Sequence, residues 1–155
     1  MKIVITGPES SGKTTLAKGL AQYYKTSWVP EYSRTYLDKL SRPYDKSDLL
    51  AIAKGQAERE NSYVSQATSF IICDTSMLVL KVWSLYKYQS ADPWITEKVL
   101  SKDYTLFLLC QPDLPWEYDP LRENPEDRDV LFEMYHKELL DHKLPFVIIE
   151  GLERE

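Results

Sequence analysis

Five short apolar runs recur along the chain, and the stretches between them carry apolar residues at three- and four-residue spacing. The first run, Lys2 to Thr6, is β-branched and reads as a buried parallel strand. A helical stretch with a Leu16, Leu20, Tyr24 stripe follows, and Thr26 to Pro30 is a second short strand. Ser41-Arg-Pro-Tyr44 breaks the chain. Asp45 or Ser47 then starts a long helix to about Ala67, with Leu49, Ile52, Ala53 and Gln56 on one face. Phe70 to Asp74 is a third strand, apolar until its acidic end, followed by a helix with Leu78, Val82, Leu85 and Tyr86 facing inward. Asp92-Pro93 caps and opens a shorter helix. Tyr104 to Cys110 is the fourth strand, and Gln111 to Arg122 is a Pro-rich loop. Asn124-Pro-Glu-Asp127 reads as N-cap, first helical position and acidic first turn of a helix to about His142. Pro145 to Ile149 is the fifth strand, and Gly151 begins a turn.

Apolar strands alternating with helices predict an α/β protein: a three-layer α/β/α arrangement around a five-stranded parallel sheet. Ligands bind such sheets at the carboxyl ends of the strands, so the residues that follow strands one to four carry the functional question. With 155 residues, 43% of them hydrophobic, the chain suits one domain with a proper core. A net charge of −5 and no basic run argue against a nucleic-acid surface. No apolar stretch approaches a membrane span, and the N-terminus enters a strand at once, so a cytoplasmic setting is expected. Cys73 and Cys110 sit in apolar runs and are expected to be buried thiols. His136 and His142 have no metal-ligand spacing and are expected at the surface.

Gly7 to Thr14 fits G-x-x-x-x-G-K-[ST], the phosphate-binding loop, between an apolar strand and a helix. The glycines let the backbone turn tightly with no side chain between its N–H groups and an anion. The nucleotide-binding candidates are Gly7, Pro8, Glu9, Ser10, Ser11, Gly12, Lys13, Thr14 and Thr15. Lys13 would place a point charge on the outer phosphates, and the Thr14 hydroxyl would ligate Mg²⁺. At this level hydrolase, kinase and regulatory switch all remain open.

Four further groups are candidates. Asp74, closing strand three, can hold Mg²⁺ opposite Thr14 or serve as an N-cap for the next helix. Glu31, after strand two, can orient an acceptor hydroxyl and take its proton, or sit solvated in a helical first turn. Arg34 lies three residues on and can pair with it. Arg122 and Arg128 flank Asn124-Pro125 and can close as a lid over a transferring phosphoryl group, or remain solvated among acidic neighbours. Trp116, Tyr118, Tyr32 and Trp83 are candidate ring contacts, and Gln56 is either a ligand contact or a satisfied buried amide.

The stretches Gly7-Pro-Glu-Ser-Ser-Gly-Lys-Thr-Thr-Leu-Ala17, Pro30-Glu-Tyr-Ser-Arg34, Gly55-Gln56 with Glu58, Asp74-Thr75 and Pro112-Asp-Leu-Pro-Trp116 also carry a family resemblance, with Asp119, Arg122 and Arg128 following in the same order. The chain resembles the ribosylnicotinamide kinase domain of the bifunctional nicotinamide-nucleotide adenylyltransferase/ribosylnicotinamide kinase family. That resemblance implies ATP- and Mg²⁺-dependent phosphorylation of the 5′-hydroxyl of nicotinamide riboside. It makes Lys13, Glu31, Arg122 and Arg128 the catalytic set, and Thr14 and Asp74 the metal side. The substrate side becomes Glu31, Tyr32, Arg34, Gln56, Asp74, Trp116 and Asp119. The partner is a small nucleoside, with no nucleic acid or membrane. Two other readings stay open: a kinase for another nucleoside or nucleotide, and an ATP-binding regulatory module without transfer. The family usually has Asp-Gly where this chain has Asp119-Pro120, which would stiffen the start of the lid. Similar chains usually continue with a helix after the last strand, so the adenine-side contacts and the completeness of the single domain are open. No His-x-Gly-His motif is present, and no adenylyltransferase activity is expected.

Overall fold

The computed structural model describes residues 1–67, 69–101 and 103–151. The elements run β1 (Lys2–Thr6), α1 (Lys13–Tyr23), β2 (Ser27–Val29), α2 (Tyr32–Leu37), α3 (Lys46–Val64) and β3 (Ile71–Asp74). They continue α4 (Met77–Tyr88), α5 (Pro93–Leu100), β4 (Leu106–Cys110), α6 (Arg128–Asp141) and β5 (Phe146–Ile149). All five strands are parallel, in the order β2-β3-β1-β4-β5. β1 is therefore central, and the loop that leaves it opens at the middle of the carboxyl edge, where strand order reverses.

Side chains alternate across the sheet with period two. Val4, Ile71, Cys73, Phe107 and Leu109 face the larger core, where residues of α3, α4, α5 and α6 cover them. Ile5, Ile72 and Cys110 face the other side, against Ala17 and Ala21 of α1. The buried line of α1 is thus set by small residues, which let the helix sit close to the strands. Leu16 and Leu20 flank that line, and Tyr24, expected on the inward stripe, is exposed. Among the described residues α1 is the helix packed on this face, the edge strand is thinly covered, and Val147 is 49% exposed. Both cysteines are buried, and burial pushes the Cys73 thiol well above its usual range.

The local signals of α3 and α5 hold. Asp45 caps α3 in a reciprocal capping box with Asp48, and Asp92 accepts from the Trp94 N–H at 2.8 Å, with Pro93 opening α5. The start of α6 is a correction. It begins at Arg128, not after Asn124, and the segment ahead of it is held to the phosphate loop, with the Asn124 N–H donating to Glu9 at 3.0 Å. Asp127 sits at the cap position, but its carboxylate accepts from the Tyr86 hydroxyl rather than from helix N–H groups. Among the described residues no helix is long and apolar enough to cross a membrane.

Candidate active site

The phosphate loop takes its shape from the strand beside it. Gly7 has φ +134°, and a Cβ there would lie 2.6 Å from the Cys110 carbonyl oxygen on β4. Only glycine lets the loop pass this close to β4. Gly12, at φ 75°, turns the chain into α1, and Ser10 holds φ 51°, a conformation uncommon for a residue with a side chain. Inside the loop the Pro8 carbonyl accepts from Ser11 Oγ at 2.8 Å and from Lys13 Nζ. Burial lowers the Lys13 ammonium, while the surrounding carboxylates, Glu31 first, hold it up.

Asp74 ends β3, directly beside Ile5 of β1. It is 2% exposed. One carboxylate oxygen, Oδ2, accepts from the Thr14 hydroxyl at 2.7 Å, and Oδ1 is buried with no hydrogen-bond partner among the described residues. Burial raises this carboxyl, and the Thr14 bond opposes the rise. Ser76, not Asp74, caps α4, accepting from the Leu78 N–H at 3.2 Å, so the capping alternative for Asp74 fails. A hydroxyl and a carboxylate with a spare oxygen form an all-oxygen donor pair that fits Mg²⁺, an ion that keeps most of its waters.

Glu31 stands at the N-cap position of α2 and makes no side-chain cap bond. Its Oε1 accepts from Ser33, and its Oε2 lies 3.9 Å from Arg34 Nε. Arg34 turns its outer nitrogen to Asp119, 2.9 Å away. Asp119 also accepts from the Leu121 N–H at 2.9 Å, and that backbone bond, with Arg34, holds its carboxyl below the usual range. The two predicted lid arginines converge on one residue of the phosphate loop. Arg122 Nη1 donates to Ser10 Oγ at 3.0 Å, and Arg128 Nη1 to the Ser10 carbonyl at 3.3 Å. Both also tie back into their own segment, to the Glu117 and Leu114 carbonyls.

Together these groups enclose a cleft of about 320 Å³, within the range of small-molecule sites. The loop from Gly7 to Thr15, Glu31, Arg34 and Arg122 line it. Asp74 and Asp119 reach it through Thr14 and Arg34, and Arg128 through Ser10. Three substrate-side candidates point elsewhere. Gln56 is fully buried, accepting from the Tyr32 N–H at 2.8 Å and donating to Glu60 at 3.2 Å, so it pins the Glu31 turn from behind. The Tyr32 ring packs on Gly55 and under the Arg59 guanidinium, and Trp116 lies against Arg128, 5.9 Å from its ring. Of the ring candidates only Trp83 lines the cleft, and Tyr118 is 85% exposed. Sequence reasoning missed Tyr135 and Leu131 of α6 and treated Tyr86 only as inward-facing, although all three form the far wall. Their helical spacing was visible, but not that the face opens on a cleft.

A central strand, a glycine-bounded phosphate loop, and a threonine–aspartate pair joining the first turn of α1 to the end of β3 define a P-loop nucleotide-binding domain of the α/β class. A family model described as an AAA domain matches residues 2–154, and the chain belongs to that family. It is 29% identical, over 96% of its length, to the trifunctional NAD biosynthesis/regulator protein NadR of Escherichia coli, and spans 38% of that protein. The crystal structure of NadR protein in complex with NR superposes with a TM-score of 0.82 at 22% identity, over 99% of this chain and 45% of that one. The structure of NadR protein with NAD and AMP-PNP gives 0.81 at 22%, over 99% and 46%. The chain thus corresponds to less than half of these relatives.

Proposed function

We propose that this domain transfers the terminal phosphoryl group of ATP to the 5′-hydroxyl of nicotinamide riboside, giving nicotinamide mononucleotide for NAD salvage. One observation carries the reading: a cleft-lining carboxylate, Glu31, faces the same space as the phosphate loop, while two arginines from a separate segment converge on that loop. A module that only binds nucleotide needs no such carboxylate, and a hydrolase would use it on water, which a panel of acceptors separates from transfer to an alcohol. The relatives' bound NR and AMP-PNP support both halves of the assignment.

The loop N–H groups and Lys13 hold the triphosphate oxygens. Thr14 and Asp74 would hold Mg²⁺, which when bound neutralises charge on the phosphate oxygens. Glu31 orients the acceptor hydroxyl and accepts its proton as the acceptor oxygen bonds to the γ-phosphorus and the bond from that phosphorus to ADP breaks. Glu31 suits this role better than Asp74, which is 2% exposed and already engaged by Thr14. Arg34 and its partner Asp119 fix the Glu31 side of the cleft. Arg122 and Arg128, bonded to Ser10 and nearby carbonyls, stand beside the loop on which the phosphates would sit, and would turn to them on binding. The far wall supplies Trp83, Tyr86 and Tyr135, whose faces suit a cationic nicotinamide ring.

The test is a panel of nucleosides and nucleotides with ATP and Mg²⁺, read as acceptor-stimulated ADP release. Nicotinamide riboside should give the highest kcat/KM, and another acceptor doing so would reassign the substrate. No stimulation by any acceptor, with nucleotide-dependent partner binding instead, would establish a regulatory module. Lys13→Ala should abolish transfer. Glu31→Gln should lower kcat by about 10²–10⁴-fold, the usual worth of a general base, with little change in ATP affinity; unchanged turnover would remove Glu31 from the mechanism.

A further inference from the structure

The phosphate loop contains an anion. Glu9 sits among backbone groups arranged to receive phosphate, where a free carboxylate would repel the ligand the loop is built for. Its charge is met by backbone amides of the arginine-bearing segment across the cleft wall. The carboxylate accepts from the Glu123 N–H, at 3.2 Å to Oε1 and 3.1 Å to Oε2, and from the Asn124 N–H at 3.0 Å to Oε2. These two amides directly follow Arg122, whose guanidinium rests on Ser10, the residue after Glu9. The same stretch is held from α4 and from the connection before α3: Glu123 accepts from the Tyr44 hydroxyl at 2.6 Å and from Lys87 at 3.2 Å, and Asp127 accepts from Tyr86.

We infer that Glu9 is a positioning residue, a latch that couples closure of the arginine-bearing segment to occupancy of the phosphate loop. With the segment closed, two N–H groups compensate the Glu9 charge, and the loop presents less repulsion to a triphosphate. With it open, the carboxylate is unpaired beside the phosphate site. Nucleotide therefore favours the closed segment, and closure favours nucleotide by the same factor. The closed state also aligns Arg122 and excludes water from the transfer site.

The latch is tested first without substrate, by amide hydrogen exchange on the full chain. In Glu9→Ala, the Glu123 and Asn124 amides should exchange roughly ten- to a hundredfold faster than in the wild type, as expected for lost bonds to a charged acceptor. Glu9→Gln, which keeps an acceptor oxygen, should return them to within about threefold of wild type, with the β1 and β4 amides unchanged throughout. Unchanged protection in Glu9→Ala, or Glu9→Gln as exposed as Glu9→Ala, overturns the latch.

The second readout rests on the kinase reading: the ratio of phosphoryl transfer to acceptor-independent ATP hydrolysis should fall at least tenfold in Glu9→Ala and recover in Glu9→Gln. An unchanged ratio in an active enzyme overturns the positioning role. Absence of transfer in the wild type, with the exchange pattern as expected, overturns the kinase reading and leaves the latch standing.

Discussion

The Thr14–Asp74 pair can be probed by Thr14→Val, which keeps the shape of the side chain and deletes one hydroxyl. In the wild type that hydroxyl is the partner of Asp74 Oδ2 at 2.7 Å, and Oδ1 has none among the described residues. The variant leaves a carboxylate that is 2% exposed without its donor. Hydrogen bonds to a charged group contribute about 1.5–3 kcal/mol; because water reaches the Thr14 side, a loss of about 1–2 kcal/mol at neutral pH is expected. The loss should depend on pH. Burial already raises the Asp74 carboxyl in the folded protein, so its contribution to stability is fullest below the unfolded-state value and is lost as pH rises through the folded one. Removing Thr14's donor raises the folded value further, so the variant loses more and goes on losing to higher pH. The gap between the proteins should therefore be smallest in acid and level off once Asp74 is ionised in both. Urea denaturation at a series of pH values, with equal m-values in the two proteins, measures it. A gap of the same size from acid to neutral pH would show that the bond does not act through the Asp74 charge.

Gly7→Ala should cost about 2–5 kcal/mol in urea denaturation, combining a φ of +134° with a Cβ 2.6 Å from the Cys110 carbonyl oxygen, and should weaken nucleotide binding; a cost under about 0.5 kcal/mol would mean the loop is not pressed against β4. Lys2→Met removes the partner, 2.9 Å away, of Glu60, which is 1% exposed and whose carboxyl burial raises. It should destabilise by about 3 kcal/mol at neutral pH, and by less as acid protonates Glu60, so a pH-independent loss would refute the ion-pair account.

The local parts of the site were readable without coordinates because their physics is local. The phosphate loop needs only its spacing between a strand and a helix, and Asp74 announces itself as the acid ending an apolar run. Gln56 was ambiguous because its partners, the Tyr32 N–H and Glu60, meet only after α2 and α3 pack. Asn124-Pro125 carried a sound helix-start signal, but the helix starts at Arg128 and the Asn124 N–H pairs with Glu9, 115 positions away in the chain. The inward stripe of α1 was displaced by one residue because close approach to the sheet selects alanine over larger apolar side chains.

Periodicity and motif spacing by themselves determined the α/β class, the parallel sheet, the phosphate loop and the acid at the end of β3, since each follows from residues a few positions apart. Only the tertiary structure decided which side chains face the cleft. That depends on packing between elements distant in sequence: Arg122 and Arg128 meeting at Ser10, Glu9 capturing two N–H groups, and α4 and α6 supplying the far wall. No local pattern encodes such pairings, because the hydrogen-bond and packing energies that choose them exist only once the sheet has brought its carboxyl edge together.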